Sequence, residues 1–332
     1  MKKIALIVMM CLLAAVCLCG CGGEEAVEET SADLTEITMV LDWTPNTNHT
    51  GLYVAAANGW FEEEGLNVSI VQPPEDGAAL MVASGKAQFG VDFQDYLAGA
   101  FGIEEPLPVT AVAAMVQHNT SGIVSLKEKG IDAPAKMEGQ TYATWDLPIE
   151  KAMLEEIVTA DGGNYDNVEL VPSTVTDIVS ALQADIDCVW IYYGWDGIAL
   201  EQAGLETNYF YFSDIDPAFD FYSPVIIANN DFLESDPETA KAFLRAVKRG
   251  YEYAAEHPAE AAAILCEQVP ELEPNLIGAS QEWLSAQYIA DAPAWGAFDA
   301  ERWNAFYQWL NEKGLVECEI PMDYGFTNDY LE

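Results

Sequence analysis

One short segment combines an indole with several hydrogen-bonding side chains, and this combination suits the binding of a flat, polar molecule. The segment reads Asp42-Trp43-Thr44-Pro45-Asn46-Thr47-Asn48-His49-Thr50-Gly51. Trp43 could stack on a ring, whereas Asn46, His49 and Thr50 could hydrogen-bond to its polar edge. A phosphate cradle would instead need several glycines and a Lys. We therefore predict that Trp43, Asn46, His49 and Thr50 contact a planar heterocycle.

A second set of aromatic side chains follows two later apolar runs. Trp145 precedes a helical pattern, where it could stack on a ligand or cover the core of its own lobe. Tyr193, Trp195 and Asp196 follow the run Val189–Tyr192. A carboxylate among aromatic rings can accept charge-assisted hydrogen bonds from an amino-heterocycle. We predict that all four side chains contact the ligand.

Two amide side chains complete the predicted set. Asn119 lies in Gln117-His118-Asn119-Thr120-Ser121-Gly122, which resembles the first segment because a His stands beside Asn and Thr close to Gly. Gln94, within Asp92–Asp95, is a weaker candidate. The histidines could contact the ligand or brace their loops. With three His in the chain and no pair at the spacing of metal ligands, we predict no metal site.

The elements that must position these residues alternate between strands and helices. Apolar runs predict strands at 37–41, 68–71, 89–91, 109–115, 141–143, 168–171, 188–192 and 225–228. Helical patterns lie between these runs, and the last third of the chain is mainly helical. This order predicts an α/β fold with mainly parallel sheets, in which ligands bind at the carboxyl ends of the strands.

Two α/β halves followed by a helical region predict two lobes that face a cleft. The chain would cross between the lobes twice, at Gln117–Gly122 and at Tyr222–Val225. One lobe would contain 35–120 and 225–332, and the other would contain 121–224. Crossings of this kind make hinge closure possible.

The N-terminal residues are typical of an export signal. Lys2 and Lys3 precede an apolar run that is shorter than the roughly 20 residues a membrane-spanning helix needs. Leu18-Cys19-Gly20-Cys21 resembles a bacterial lipobox and predicts a signal peptide over 1–20 with Cys21 lipidated; a secreted protein cut elsewhere is the alternative. The acidic residues 21–34 are predicted to be a flexible tether.

Charge and missing motifs narrow the function. The chain has 13 Lys and Arg against 55 Asp and Glu, a formal charge of −42, which repels nucleic acid and anionic membrane surfaces. The sequence contains no glycine-rich phosphate loop, no GxSxG elbow and no His-Glu-x-x-His. The scattered Cys188, Cys266 and Cys318 are interpreted as small apolar residues.

The motifs together resemble those of substrate-binding lipoproteins of ABC importers, in the subgroup that binds pyrimidine precursors of thiamine. The resemblance rests on Asp42–Gly51, Gly59-Trp60-Phe61, Gly85–Gly90, Gln117–Gly122 and Tyr193–Gly197, and it extends from about residue 34 to the C-terminus. It implies the two-lobed periplasmic-binding-protein fold of type II, with no catalysis and no cofactor. Asp196 stands where relatives often carry Glu, so its shorter side chain changes the expected pyrimidine contact.

The resemblance also implies partners and a location. A lipid-anchored monomer outside the cytoplasm would deliver a pyrimidine to an ABC permease and its ATPase, with no nucleic acid involved. Trp43, Asn46 and His49 would line one lobe, and Trp145, Tyr193 and Trp195 the other. The alternatives are a receptor for another ligand such as a flavin or a sulfonate, a pyrimidine-processing enzyme, and a sensory or adhesive lipoprotein.

Overall fold

The structure, a computed structural model, describes residues 34–332. The predicted signal peptide, Cys21 and almost all of the predicted tether lie outside the described residues. Ten strands are present in this range: β1 Thr35–Val40, β2 Leu66–Val71, β3 Phe89–Asp92, β4 Val109–Ala114, β5 Ser121–Leu126, β6 Thr141–Thr144, β7 Glu169–Pro172, β8 Cys188–Tyr192, β9 Thr207–Tyr211 and β10 Val225–Asn229.

The strands form two sheets of five with matching topology. The first sheet has the order β2-β1-β3-β10-β4, and the second has the order β7-β6-β8-β5-β9. Only β10 in the first sheet and β5 in the second run antiparallel to their neighbours. Each is the strand that the chain enters after passing from one sheet to the other. The prediction of an α/β fold with mainly parallel sheets is confirmed.

Helices flank both sheets and form most of the C-terminal third. They are α1 Thr50–Ala57, α2 Trp60–Glu63, α3 Ala78–Ala83, α4 Gln94–Phe101, α5 Pro148–Ala160, α6 Ile178–Gln183, α7 Ile198–Gln202, α8 Asn230–Ser235, α9 Pro237–Glu256, α10 Pro258–Gln268, α11 Pro274–Leu284 and α12 Ala300–Lys313. No helix within 34–332 is long and apolar enough to span a bilayer.

Two strands of the structure, β5 and β9, are missing from the strands predicted from the sequence, for identifiable reasons. The strand β5 has only a short apolar run, Ile123-Val124, directly after the polar motif that was predicted to be a crossing. The strand β9 lies at the edge of its sheet and is partly exposed along its length, so its sequence Thr-Asn-Tyr-Phe-Tyr does not alternate clearly. Edge strands carry a weak periodic signal because neither face is fully buried.

Apolar side chains cover both faces of the first sheet, and this packing holds the start of the loop that follows β1 in place. Met39 and Leu41 belong to one apolar cluster and Val40 to the other. Helix α1 then packs directly on α9, where a Cβ atom at Gly250 would lie 2.0 Å from the carbonyl oxygen of Gly51. Only glycine allows this approach, and the contact anchors the start of α1.

The chain passes between the sheets through 115–120 and returns through 212–224. These ranges include most of the two predicted crossings. The side-chain amide of Asn119 in the first segment donates to the carbonyl oxygen of Phe219 in the second, at 2.8 Å. The two segments are therefore hydrogen-bonded to each other.

Candidate ligand-binding site

His49 fixes a carboxylate at the end of the first strand. Its ring is fully buried. Its Nε2 lies 2.6 Å from Oδ1 of Asp42, and its Nδ1 accepts a hydrogen bond from the backbone N–H of Asn46 at 3.1 Å. Because Nδ1 accepts, the proton must lie on Nε2, which donates to Asp42. His49 therefore orients the Asp42 side chain and has no ring nitrogen left for a ligand.

Asn46 and Thr50 are also used inside this loop. Oδ1 of Asn46 accepts from the backbone N–H of Asn48 at 2.9 Å, and the Thr50 hydroxyl donates to the carbonyl oxygen of Thr47 at 3.0 Å. Both side chains are buried, whereas the neighbouring Trp43 is 56% exposed. Contact of Asn46, Thr50 and His49 with a ligand stays a prediction, and Trp43 is the side chain of this loop that is open to solvent.

A cavity of about 450 Å³ lies at the carboxyl ends of β1 and β3. Its lining includes Asp42, Asp92, Phe93 and Tyr96, together with apolar side chains of α3 and α4 such as Leu80. Neither Lys nor Arg is among the lining residues. A volume of this size suits a small organic molecule.

Buried carboxyl groups give this cavity its acidic character. Burial raises the pKa of Asp92 to about 7, although the backbone N–H of Phe93 opposes the shift and the charges of Asp95 and Asp42 add to it. Burial likewise raises the pKa of Asp95 to about 7. Oδ1 of Asp95, which is not a lining residue, is buried and has no hydrogen-bond partner among the residues that the structure describes. The arrangement offers acceptors to a ligand rich in N–H donors and repels anions.

Trp145 directly follows the strand β6 of the second sheet. It is 36% exposed, and the buried carboxylate of Glu150 holds the loop by accepting from the hydroxyls of Tyr142 and Thr144, each at 2.8 Å. Desolvation of the Tyr96 hydroxyl raises its pKa to about 12, and the charge of Glu150 is among the further causes. The charge of Glu150, on the helix α5 that follows β6, therefore acts on Tyr96 in the cavity lining.

A second contact between the sheets involves Tyr192, the last residue of β8. Its ring is stacked against Phe93 with 6.0 Å between centroids, and its hydroxyl accepts from the hydroxyl of Ser223 at 3.2 Å. Phe93 lines the cavity, and Tyr192 packs against Phe93 without itself being a lining residue. Aromatic residues from both sheets therefore meet at the cavity.

The turn that follows β8 packs on a helix of the C-terminal region. The π-helical turn Tyr193–Gly197 lies against α11, where the buried hydroxyl of Ser280 donates to the carbonyl oxygen of Gly194 and lies 2.6 Å from the hydroxyl of Thr47. Trp195 packs on an apolar cluster of α10 and α11 that includes Leu265. Through α11, the structure brings this turn close to the loop that precedes α1.

Three predicted residues of this turn have different surroundings. The Tyr193 hydroxyl donates to Glu201, and its ring lies 5.0 Å from Tyr209 and 5.3 Å from Trp283. Trp195 is engaged in the packing described above. Burial raises the pKa of Asp196 to about 6. Contact of Tyr193 and Trp195 with a ligand stays a prediction, since both rings already pack within the protein.

Gln94 and Asn119 lie at the junction of the sheets with their amides in use. The Gln94 side chain donates to the carbonyl oxygen of Trp303 at 2.8 Å and accepts from the backbone N–H of Tyr222 at 2.9 Å. Oδ1 of Asn119 accepts from the backbone N–H of Ser121 at 2.9 Å. Both residues are buried, and their contact with a ligand also stays a prediction.

The predicted set of ligand contacts does not include several residues that line the cavity. Asp42, Phe93 and Tyr96 follow β1 or β3, and Asp92 is the last residue of β3. Asp42, Asp92 and Phe93 lie within the candidate segments of the sequence, although none of the three was among the predicted contacts. The rule that ligands bind at the carboxyl ends of strands could have identified these three, because each comes within two residues of a strand end. Among the described residues, no group of three or more His, Cys, Asp or Glu side chains is arranged to hold a metal ion.

Comparison with known proteins identifies similar sequences over most of the chain. The family model described as "NMT1/THI5 like" matches residues 46–261. A formylaminopyrimidine-binding protein of Halalkalibacterium halodurans is 31% identical over 326 residues, which cover 96% of each chain. A 4-amino-5-hydroxymethyl-2-methylpyrimidine phosphate synthase of Saccharomyces cerevisiae is 23% identical, covering 89% of this chain and 88% of its own.

Solved structures show the same fold at low sequence identity. The periplasmic aliphatic sulphonate binding protein from Escherichia coli superposes with a TM-score of 0.67 and 15% identity, covering 88% of this chain and 97% of its own. The predicted two-lobed periplasmic-binding-protein fold is confirmed by this similarity.

Proposed function

The chain belongs to the NMT1/THI5-like family, and we propose on that premise that it is the extracytoplasmic receptor of an ABC importer for a pyrimidine precursor of thiamine. The relative with 31% identity is named for binding formylaminopyrimidine. A permease and its ATPase would be the partners that receive the ligand. In this proposal the protein binds its ligand and releases it unchanged.

The observation that carries the proposal is the acidic, aromatic cavity at the strand ends. An aminopyrimidine is flat and presents N–H donors along one edge. Asp42 and Asp92 supply acceptors, and Phe93 and Tyr96 supply ring surface. Charge-assisted hydrogen bonds of this type are roughly twice as strong as neutral ones. A sulfonate, which is an anion, would meet these carboxylates with no cation in the lining.

The proposal divides the predicted residues into two groups. Trp43, Trp145 and Asp196 would contact the ligand, because they are exposed or lack an internal hydrogen-bond partner in the described structure. The remaining predicted residues would hold these walls in place; they are Asn46, His49, Thr50, Gln94, Asn119, Tyr193 and Trp195.

Closure of two lobes would complete the site. We assign 35–120 with 225–332 to one lobe and 121–224 to the other, since the two sheets divide at the same places. Hinge closure around a ligand is a motion known for periplasmic binding proteins. Residues Trp43 and Trp145, one after β1 and one after β6, would approach each other as the cleft closes.

Calorimetric titration tests the ligand. We expect binding of formylaminopyrimidine or 4-amino-5-hydroxymethyl-2-methylpyrimidine and no binding of an aliphatic sulfonate. Trp43→Ala should weaken pyrimidine binding about twofold to twelvefold, since stacking contributes roughly 0.5–1.5 kcal/mol. Met322→Ala, which removes an equally exposed apolar side chain that is not a predicted ligand contact, is the matched control. Sulfonate binding without pyrimidine binding would overturn the proposal.

The enzyme alternative is favoured by one observation, the similarity to proteins named as synthases. Incubation of the purified protein with the bound pyrimidine, followed by mass spectrometry, separates the two functions. The receptor proposal expects recovery of an unchanged ligand. Conversion that is lost in Asp196→Ala while binding persists would instead show catalysis.

The membrane link is tested separately. We propose that Cys21, the cysteine of the lipobox-like segment, carries the lipid. Stable attachment to a membrane requires more than one acyl chain, and a lipobox cysteine can receive several. Cys21→Ser should move the protein from the membrane fraction to the soluble fraction. Retention of the variant in the membrane fraction would contradict the anchor.

A further inference from the structure

A second histidine joins the two segments that cross between the sheets. His118 lies in the first segment, 115–120, and Asp220 lies in the second, 212–224. Nδ1 of His118 is 2.7 Å from Oδ2 of Asp220. Oδ1 of the same carboxylate accepts from the backbone N–H of Asn119 at 2.9 Å. One carboxylate of the returning segment thus holds two neighbouring residues of the outgoing segment.

Two further charged groups face the His118 ring, both from the C-terminal region. Nε2 of His118 lies 2.9 Å from Oδ1 of Asp291. Arg302 lies on the other side, with its Nη1 3.3 Å from Nδ1 of His118 and its Nε 3.8 Å from Oδ2 of Asp220. The charged groups that contact the ring are therefore Asp220, Asp291 and Arg302.

The protonation state of His118 decides which of these contacts can form. An imidazolium donates from both ring nitrogens, so it can bind Asp220 and Asp291 together. A neutral ring donates from one nitrogen only. With the proton on Nδ1 the ring keeps Asp220 and releases Asp291; with the proton on Nε2 it keeps Asp291, and the Nδ1 lone pair faces the Asp220 carboxylate at 2.7 Å, which is repulsive, unless it accepts from Arg302.

We propose that His118 is a proton-controlled pin between the two crossing segments. When the ring is charged, the pin joins His118 and Asp220 and restricts relative movement of the two sheets. When the ring loses its proton, it can no longer bind both carboxylates, so the contact with Asp220 or with Asp291 is lost and the hinge loosens. The proposal concerns the hinge alone and holds whatever ligand the cleft takes.

The electrostatic surroundings agree with this geometry. The hydrogen bond with Asp220 is the largest cause that raises the pKa of His118 above its ordinary value; burial and the charge of Arg302 act in the opposite direction. The ring is half-buried, with its side chain 35% exposed, so protons can reach it. Histidine is the side chain that most readily changes charge near neutral pH.

Titration by NMR is the first test. The chain contains three His, so the His118 ring signal can be assigned by its loss in His118→Gln. We expect its pKa to lie above the ordinary value and to fall by at least about one unit in Asp220→Asn. Asp291→Asn removes the more exposed partner and should lower the pKa less. A pKa that is unchanged in Asp220→Asn would overturn the proposal.

Hydrogen exchange measures the pin itself. The Asn119 amide, which donates to Asp220, should exchange at least about fivefold more slowly in the unsubstituted protein than in His118→Gln at a pH below the measured pKa. The ratio should fall towards one above that pKa. The Gln88 amide, which bonds to the carbonyl oxygen of Thr38 within the first sheet, is the control and should give a ratio near one throughout.

Two results would contradict the pin. One is equal exchange of Asn119 in both proteins at low pH, and the other is a ratio that does not change across the pKa. If His118→Gln fails to fold, His118→Asn provides the same comparison, because it leaves the Asp220 acceptor of the Asn119 amide in place. Ligand is absent from every measurement, so failure here would leave the pyrimidine proposal standing and the reverse is equally true.

Discussion

The cleft region around His49 and the crossing region around His118 have similar sequences, but the negative charge of their carboxylates is balanced differently. We define the cleft region by Asp42, His49, Asp92 and Asp95, and the crossing region by His118, Asp220, Asp291 and Arg302. In the cleft region a neutral His is the one side-chain partner that donates to Asp42, and the cavity lining holds no cation. In the crossing region an Arg and a His stand beside Asp220.

This difference shows how the same residue type acquires different roles. His49 is sealed, and a backbone N–H fixes its tautomer, so it can only orient the carboxylate that it touches. His118 is half-exposed between two carboxylates and gains a second hydrogen bond when it is protonated. Carboxylates that are balanced within the protein hold the fold together, whereas unbalanced carboxylates remain available to a ligand.

The largest expected effect on the free energy of unfolding is that of replacing His49 in the cleft region. His49→Ala would leave Asp42 and the Asn46 N–H without their partner and would open a cavity, which should lower the free energy of unfolding by about 3 kcal/mol. His118→Ala, at a half-exposed site, should cost about 1 kcal/mol or less. Urea denaturation of both variants measures this contrast, with the exposed His257→Ala as control. Equal losses would show that the two histidines are not structurally distinct.

The second-largest expected effect on stability concerns Asp95, a buried carboxyl group of the cleft region. Its folded pKa of about 7 lies above the ordinary value, so the native state loses stability as pH rises through that value and the carboxylate becomes charged. Asp95→Asn should therefore raise the free energy of unfolding on the order of 2 kcal/mol at pH 8 and change it little at pH 4. Denaturation at both pH values tests this; a variant less stable at pH 8 would indicate that a cation balances Asp95.

The smallest effect concerns the pH dependence of the crossing region. The pKa of His118 is raised in the folded state, so its stabilisation is present at low pH and is lost as pH rises through the folded value. Solvent screening at this half-exposed site limits the contribution to about 0.5 kcal/mol. The difference in unfolding free energy between the unsubstituted protein and His118→Gln should shrink from pH 5 to pH 8. A difference that grows with pH would reverse the sign we assign.

Much of the fold could be predicted because the buried strands are short and continuously apolar. Both strands that were missed, β5 and β9, lack this signal: one adjoins a polar motif and the other lies at an exposed edge. Trp43 and Trp145 could be predicted as candidates because each indole follows closely on an apolar run that predicts a strand. Asp92 could not be separated from the other acidic residues, since the sequence contains 55 of them.

The sequence by itself determined the α/β order, the excess of negative charge and the segments that follow the strands, because these depend on residues that are neighbours in the chain. The tertiary structure alone decided which polar side chains are consumed internally. His49 and Asn46 turn inward because His49 donates to Asp42 and Asn46 accepts from the loop backbone. His118 instead meets Asp220 and Asp291, which lie more than a hundred residues away in the sequence. Burial and the count of nearby charges depend on such distant contacts, which no local pattern contains.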